Sequence, residues 1–201
     1  MKLVVYLDLD RTLFKTDLGV KLIWQEIAKI NSGVDVDREL AAISDFYAYS
    51  EDAYAYDLVT HIASLGLDSS HIFDELRLSE IADGRLEYKG AKELINWINT
   101  NGGQVKVLTY GFDDYQRLKA SLCPSITSVE VITTLGAKME YLKDKGNLWL
   151  IDDKVPSNIV DNVNFIQAIG YNDVADATGG RFPVARSLNE VKDLLAKNSE
   201  V

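Results

Sequence analysis

The chain has 201 residues, of which 47% are hydrophobic and 26% charged, and its formal net charge is −10 at pH 7. This composition is typical of one soluble globular domain, or of one core with an insertion. The acidic excess disfavours duplex nucleic acid as a main ligand, because its phosphate backbone would be repelled. No apolar run approaches the roughly 18 residues of a membrane span, so we expect neither membrane association nor a signal peptide. The single cysteine, Cys123, excludes an internal disulfide and indicates a reducing, cytoplasmic compartment.

The first predicted element is a buried strand that ends in carboxylates. The run from Leu3 to Leu7 is short and rich in β-branched residues, and Asp8, Asp10 and Thr12 follow it. Ligands of open parallel sheets bind outside the carboxyl ends of the strands. Two carboxylates about 4 Å apart repel each other by about 4 kcal/mol at an effective dielectric of about 20. The pattern therefore indicates a cation, a shared proton or a phosphoryl group with its metal, unless both carboxylates are solvated loop residues.

Residues 16 to about 86 favour helices throughout. Apolar residues recur at helical spacing from Leu18 to Ile30, with Thr16 or Asp17 as the expected cap, and similar patterns continue to Leu76. No strand pattern of comparable clarity is present. The aromatic residues of this stretch are interpreted as its core or, alternatively, as rings that stack a base or form the wall of a substrate slot. They are Trp24, Tyr47, Tyr49, Tyr54 and Tyr56.

From Gly90 onward, predicted strands alternate with predicted helices. The strands are Gln104 to Thr109, about Val129 to Thr133, Leu148 to Ile151, and Phe165 to Ile169. This alternation predicts an α/β fold, a Rossmann-like parallel sheet flanked by helices. We therefore expect an α/β catalytic core of residues 1–15 and 87–201, with a small all-helical cap domain of residues 16–86 inserted in it.

Chemically capable residues follow the later predicted strands. Thr109, Tyr110 and Gly111 end one strand, Lys138 opens a helix, and Asp152-Asp153 ends another strand. At one sheet edge these groups and the first two aspartates could hold a divalent cation and a phosphoryl group. A lysine in the first turn of a helix opposes the helix dipole, and a bound phosphate would remove that penalty.

These residues resemble the four motifs of the haloacid dehalogenase-like (HAD) hydrolase superfamily, in the family's order. Asp8-Leu9-Asp10-Arg11-Thr12 matches the first motif, Asp-x-Asp-x-Thr at the end of the first strand. Thr109 matches the second motif, Lys138 the third and Asp152-Asp153 the fourth. The resemblance covers the whole chain and includes a helical cap inserted between the first two motifs.

The resemblance implies an Mg²⁺-dependent phosphatase that works through an aspartyl-phosphate intermediate. Asp8 would be the nucleophile, and Asp10 would protonate the leaving oxygen and then deprotonate the attacking water. Dehalogenases of the superfamily lack a carboxylate equivalent to Asp10, which favours phosphoryl transfer here. The implied phosphate-binding residues are Thr109, Tyr110, Gly111 and Lys138. The implied metal site is formed by Asp8, the backbone carbonyl of Asp10 and Asp152, with Asp153 supporting them.

Several alternatives stay open at the level of sequence. A phosphomutase uses the same aspartyl chemistry, and a non-catalytic Mg²⁺-binding regulatory protein would need the same carboxylates. A signalling receiver domain is disfavoured, because such domains are short and lack a helical insertion. Lys143 is the alternative to Lys138 for the third motif. The substrate is expected to be a small phosphorylated metabolite, which the sequence does not identify further, and the oligomeric state is not indicated.

Overall fold

Six parallel strands form the central sheet of the protein in a computed structural model that describes residues 3–49, 54–168 and 181–199. In chain order the strands are β1 (Val4–Leu7), β2 (Tyr47–Tyr49), β3 (Tyr54–Tyr56), β4 (Gln104–Tyr110), β5 (Glu130–Thr134), β6 (Leu148–Asp152), β7 (Val163–Ala168) and β8 (Val184–Ala185). The α-helices are α1 (Thr16–Ile30), α2 (Val36–Ala42), α3 (Leu58–Ser64), α4 (Ser69–Leu78), α5 (Ala91–Thr100), α6 (Asp113–Ser121), α7 (Lys138–Leu142) and α8 (Leu188–Ser199). Short 3₁₀ turns lie at Ile43–Phe46, Glu80–Asp83 and Pro124–Ile126.

The central sheet has the strand order β5-β4-β1-β6-β7-β8, which places β1 between β4 and β6. Val5 of β1 lies beside Val105 of β4 on one side and beside Trp149 of β6 on the other, both in parallel register. Because all three strands run in the same direction, their carboxyl ends meet at one edge of the sheet. The predicted Rossmann-like α/β fold is confirmed.

Both faces of the sheet are covered, which explains the nearly continuous apolar character of its strands. Val5 and Leu7 belong to the larger hydrophobic core, which the helices α1, α4, α5 and α8 also line. Tyr6 points to the opposite face and packs in a smaller core with Met139 and Leu142 of α7. The strand period of two therefore distributes one short run of residues between two layers of helices.

The chain leaves the sheet after β1 and returns to it through two neighbouring segments. The backbone N–H of Lys15 donates to the carbonyl of Leu86, and that of Tyr88 donates to the carbonyl of Leu13, both at 2.8 Å. Residues 16–86, called here the inserted segment, lie between these crossings. The division into core and cap domains at residues 15 and 87 stays a prediction.

The inserted segment is not all-helical, and this part of the expectation is corrected. Strands β2 and β3 form an antiparallel hairpin with Tyr47 opposite Tyr56 and Ala48 opposite Ala55. Each strand is a Tyr-Ala-Tyr triplet with a period of two, which is too short to be recognised as a strand before its pairing partner is known.

In the described ranges, no helix is both long and apolar enough to cross a membrane.

Candidate active site

Three carboxylates meet where β1 and β6 end. Asp8 follows β1, Asp152 is the last residue of β6, and Asp153 comes next. Oxygen atoms of these three side chains lie within 4.8 Å of one another. The backbone N–H of Asp8 donates to the carbonyl of Ile151 at 2.8 Å, which ties the two strand ends together. Asp8 and Asp152 are each only 4% exposed, so water screens their repulsion poorly.

Lys138 lies between two of these carboxylates. Its Nζ donates to Oδ1 of Asp8 and to Oδ2 of Asp152, both at 2.6 Å. Burial disfavours the charged ammonium, but the charges of Asp152 and Asp8 outweigh this and raise the pKa of Lys138 above its ordinary value. The ammonium therefore partly neutralises the cluster in this structure.

The carboxylate cluster nevertheless holds excess negative charge. Burial, with the neighbouring Asp152, raises the pKa of Asp8 well above its ordinary value, although Lys138 opposes the rise. Burial and the same neighbour raise the pKa of Asp153 to about 7. The three carboxylates offer hard oxygen donors within 4.8 Å of one another, which is a suitable donor set for a hard divalent cation such as Mg²⁺. The residues present thus fit the expected metal.

Asp10 is held by side chains of α1 and α6. Its carboxylate accepts from Oγ1 of Thr16 at 2.8 Å, from Nζ of Lys119 at 2.5 Å and from Nε2 of Gln116 at 3.3 Å. Burial opposes ionisation of Asp10, but Lys119 and the hydrogen bonds from Thr16 and Gln116 lower its pKa below the ordinary value. The structure therefore favours an ionised Asp10.

Sequence reasoning missed Gln116 and Lys119. Lys119 is only 2% exposed, and its ammonium lies 4.5 Å from the centre of the Tyr115 ring. Gln116 and Lys119 are three residues apart on α6, so both face the same side of the helix. Their spacing indicates that two polar residues share one helix face next to the second motif. It does not identify Asp10 as their partner.

The predicted phosphate-binding residues of β4 have protein partners in this structure. The hydroxyl of Thr109 donates to Oε1 of Gln116 at 3.1 Å, and Nε2 of Gln116 donates to the carbonyl of Tyr110 at 2.8 Å. The N–H of Gly111 donates to the carbonyl of Thr134 at 2.9 Å. A Cβ at Gly111 would lie 2.3 Å from Nε2 of Gln116, so glycine is needed for this close approach. The phosphate-binding roles stay predictions.

The loop of the first motif contains a left-handed residue. Arg11 has a φ of 58°, and its backbone N–H donates to Oγ1 of Thr16 at 3.0 Å. A side chain in this conformation is disfavoured by roughly 1–2 kcal/mol. The turn lets the chain reverse directly after Asp10, so that Thr16 can reach that carboxylate.

No protein-family model and no curated protein matches this sequence. Solved structures do match it in fold. One is a haloacid dehalogenase-like hydrolase from Burkholderia xenovorans LB400, with 12% identity, a TM-score of 0.67, and coverage of 98% of this chain and 97% of that chain. Another is the HAD-hydrolase YfnB of Bacillus subtilis bound to magnesium, with 13% identity, a TM-score of 0.53, and coverage of 96% and 98%. A third is CbbY of Rhodobacter sphaeroides in complex with phosphate, with 15% identity, a TM-score of 0.55, and coverage of 95% and 96%.

These similarities extend over nearly the full length of each chain, at identities that establish the fold alone. The protein therefore has the fold of the haloacid dehalogenase-like hydrolases, in agreement with the motif resemblance.

Proposed function

We propose that the protein is an Mg²⁺-dependent phosphohydrolase that removes the phosphoryl group from a small phosphorylated metabolite in the cytoplasm. The observation that carries this proposal is the position of Asp8. Its carboxylate lies at the end of the central strand, in contact with Lys138 and beside Asp152 and Asp153. A nucleophile, a cation and a metal donor set thus share one small volume, which suits phosphoryl transfer.

Asp8, Asp152 and Asp153, with the backbone carbonyl of Asp10, would hold the metal. When bound, Mg²⁺ supplies positive charge that offsets the negative charge of the phosphoryl group and of the carboxylates.

The nucleophile is the carboxylate of Asp8. One of its oxygens attacks phosphorus, a new P–O bond forms, and the bond from phosphorus to the ester oxygen breaks. The leaving oxygen takes a proton from Asp10. Water then attacks the aspartyl-phosphate while Asp10 takes a proton from it, which releases phosphate and restores Asp8.

The contacts of Asp10 favour the second of these steps. Lys119, Gln116 and Thr16 stabilise the ionised carboxylate, which is the form that accepts a proton from water. The first step needs the protonated form, so substrate binding has to weaken these contacts or bring the proton with it.

The phosphoryl oxygens would meet Lys138 and Thr109. The ammonium of Lys138 has three N–H donors, of which Asp8 and Asp152 use two, and the third remains for a phosphoryl oxygen. The hydroxyl of Thr109 would have to exchange its bond to Gln116 for one to the phosphoryl group. We assign Tyr110 and Gly111 to the shape of the turn, because the N–H of Gly111 is paired with Thr134.

The test is phosphate release from p-nitrophenyl phosphate by the wild-type protein and by Asp8→Asn, in Mg²⁺ and in EDTA. We expect turnover only for the wild type in Mg²⁺, with both proteins folded by circular dichroism. Equal activity in EDTA would refute the metal requirement, and an active, clean Asp8→Asn preparation would refute the nucleophile. With sugar phosphates, an isomerised product without free phosphate would indicate a mutase instead.

A further inference from the structure

The β2–β3 hairpin presents tyrosine rings on one of its faces. Tyr54 and Tyr56 are two residues apart on β3 and therefore lie on the same side of the strand, and Tyr47 is directly opposite Tyr56. The ring of Tyr47 lies 4.7 Å from that of Tyr54 and 6.2 Å from that of Tyr56, measured between centroids. We call these three rings the tyrosine face.

The tyrosine face contacts the sheet edge on both sides of β1. Tyr56 meets Tyr115 of α6, which follows β4, edge to face at 5.5 Å between centroids. The ring of Tyr54 lies 6.0 Å from Nζ of Lys154, which follows β6. Since β1 lies between β4 and β6, the tyrosine face spans the carboxyl end of β1, where Asp8 is found.

Both contacts lead to carboxylates of the candidate active site, one through Lys119 and the other directly from Lys154. The ring of Tyr115 packs against the ammonium of Lys119, which pairs with Asp10. The backbone N–H of Lys154 donates to Oδ1 of Asp152 at 2.9 Å. An ester group attached to a phosphoryl group at Asp8 would therefore meet the tyrosine face.

A buried network fixes the orientation of Tyr56. Its hydroxyl lies 2.6 Å from Nδ1 of His61, and Nε2 of His61 lies 3.0 Å from Oε2 of Glu39. An ionised carboxylate can only accept, so Nε2 donates to Glu39, and in the neutral imidazole Nδ1 then accepts from the tyrosine hydroxyl. Phe46 stacks on the imidazole at 3.9 Å between centroids. Within the tyrosine face, Tyr56 is therefore held in place before a ligand arrives, which reduces the entropy lost on binding.

We propose that the tyrosine face is the binding subsite for the leaving group of the substrate, and that this leaving group carries an aromatic ring. The proposal rests on the proposed phosphohydrolase function. Tyr54 is 56% exposed, which leaves ring surface for a ligand at the sheet edge. Aromatic rings prefer one another at offset or edge-to-face geometries, and Lys154 adds a cation beside the same surface. An aliphatic group of equal size would gain burial but not these ring interactions.

The decisive comparison uses benzyl phosphate and cyclohexylmethyl phosphate. Both release a primary alcohol of similar size through the same P–O bond cleavage, so the ring is the main difference between them. We expect wild-type kcat/KM to be about tenfold higher for benzyl phosphate. Tyr54→Leu should bring this ratio close to one, whereas Tyr54→Phe, which keeps the ring, should retain it. A wild-type ratio near one, or a ratio unchanged in Tyr54→Leu, would overturn the proposal.

Binding separates failure of this inference from failure of the proposed function. Benzylphosphonate and cyclohexylmethylphosphonate cannot be hydrolysed at the phosphorus–carbon bond, and calorimetry in Mg²⁺ measures their affinity directly. Tighter binding of benzylphosphonate that Tyr54→Leu abolishes would support the aromatic subsite even if neither phosphate ester were hydrolysed, and the proposed function alone would then fail. Hydrolysis of both esters at equal rates, with equal phosphonate affinities, would refute the subsite and leave the function standing.

Discussion

Replacing Lys138 with methionine would remove the cation between Asp8 and Asp152 while keeping an unbranched side chain of similar length. In the wild-type protein the ammonium is 2.6 Å from an oxygen of each carboxylate. In the variant, the buried carboxylates face one another without a cation between them. We therefore expect the metal-free variant to be less stable than the wild type.

The size of the loss follows from the two contacts. At 2.6 Å and an effective dielectric of about 20, each contact contributes about 6 kcal/mol of Coulomb attraction. Much of this is offset, because burying the ammonium is itself unfavourable and because Asp8 can take up a proton. Breaking a buried ion pair typically destabilises a protein by about 3–5 kcal/mol. Taking the lower value, the melting temperature in EDTA should fall by about 6–12 °C for a chain of this length.

Magnesium should reverse most of this loss. A ligand that binds only the folded state stabilises it by RT ln(1 + [L]/Kd), and the variant no longer has a lysine that competes for the same oxygens. The rise in melting temperature on adding Mg²⁺ should therefore be larger for Lys138→Met than for the wild type. Activity should still fall by roughly 100-fold in Mg²⁺, because the contact with the transferring group is lost.

The assay is thermal melting of both proteins in EDTA and in millimolar Mg²⁺, at constant ionic strength. Lys143→Met is the matched control, since its partner Glu140 is exposed and such surface pairs contribute about 0–1 kcal/mol. A melting temperature of Lys138→Met in EDTA within 1 °C of the wild type, or an equal Mg²⁺ response in both, would refute this reasoning. A 100-fold loss of activity in the control instead would move the third motif to Lys143.

Three further outcomes are expected. The pKa of Asp153 is raised from 3.8 to about 7 in the folded state. Between about pH 4 and 7 the folded state therefore keeps a proton that the unfolded chain releases. Asp153 thus makes the free energy of unfolding of the metal-free protein fall as the pH rises through this range. The free energy of unfolding by urea in EDTA should differ less between pH 5 and pH 7.5 for Asp153→Asn than for the wild type. An equal difference in the two proteins would contradict the raised pKa. Lys119→Met should lower kcat by about 100-fold while Lys119→Arg recovers part of it, and full activity of the methionine variant would exclude a role in holding Asp10. Arg11→Gly should melt close to the wild type, because the relief of strain at a φ of 58° is offset by the greater chain entropy of glycine in the unfolded state. Arg11→Val should be about 1 kcal/mol less stable, because a β-branched side chain adopts this conformation least readily, and equal stability of both variants would count against that strain.

Much of the fold and part of the site follow from local patterns in the sequence. The apolar run before Asp8 and the similar run before Asp152 each specify a buried strand and the point where it ends. In a parallel sheet such ends must share one edge, so the meeting of Asp8 with Asp152 and Asp153 could be expected without coordinates. The alternation of strands and helices after Gly90 likewise specified the layered architecture.

Tertiary structure decided the contacts that depend on packing between distant segments. Lys119 contacts Asp10 although the two residues are 109 positions apart in the chain. The spacing of residues in the sequence does not indicate which buried carboxylate a buried lysine will pair with. The Tyr-Ala-Tyr triplets become strands only because each supplies the backbone partners of the other, so neither specifies the hairpin alone. The sequence by itself thus determined where the strands end in carboxylates, because burial and strand direction are local properties. Which side chains surround those carboxylates was decided by the packing of α6, α7 and the hairpin against one sheet edge, because contacts between distant segments exist only once the chain has folded.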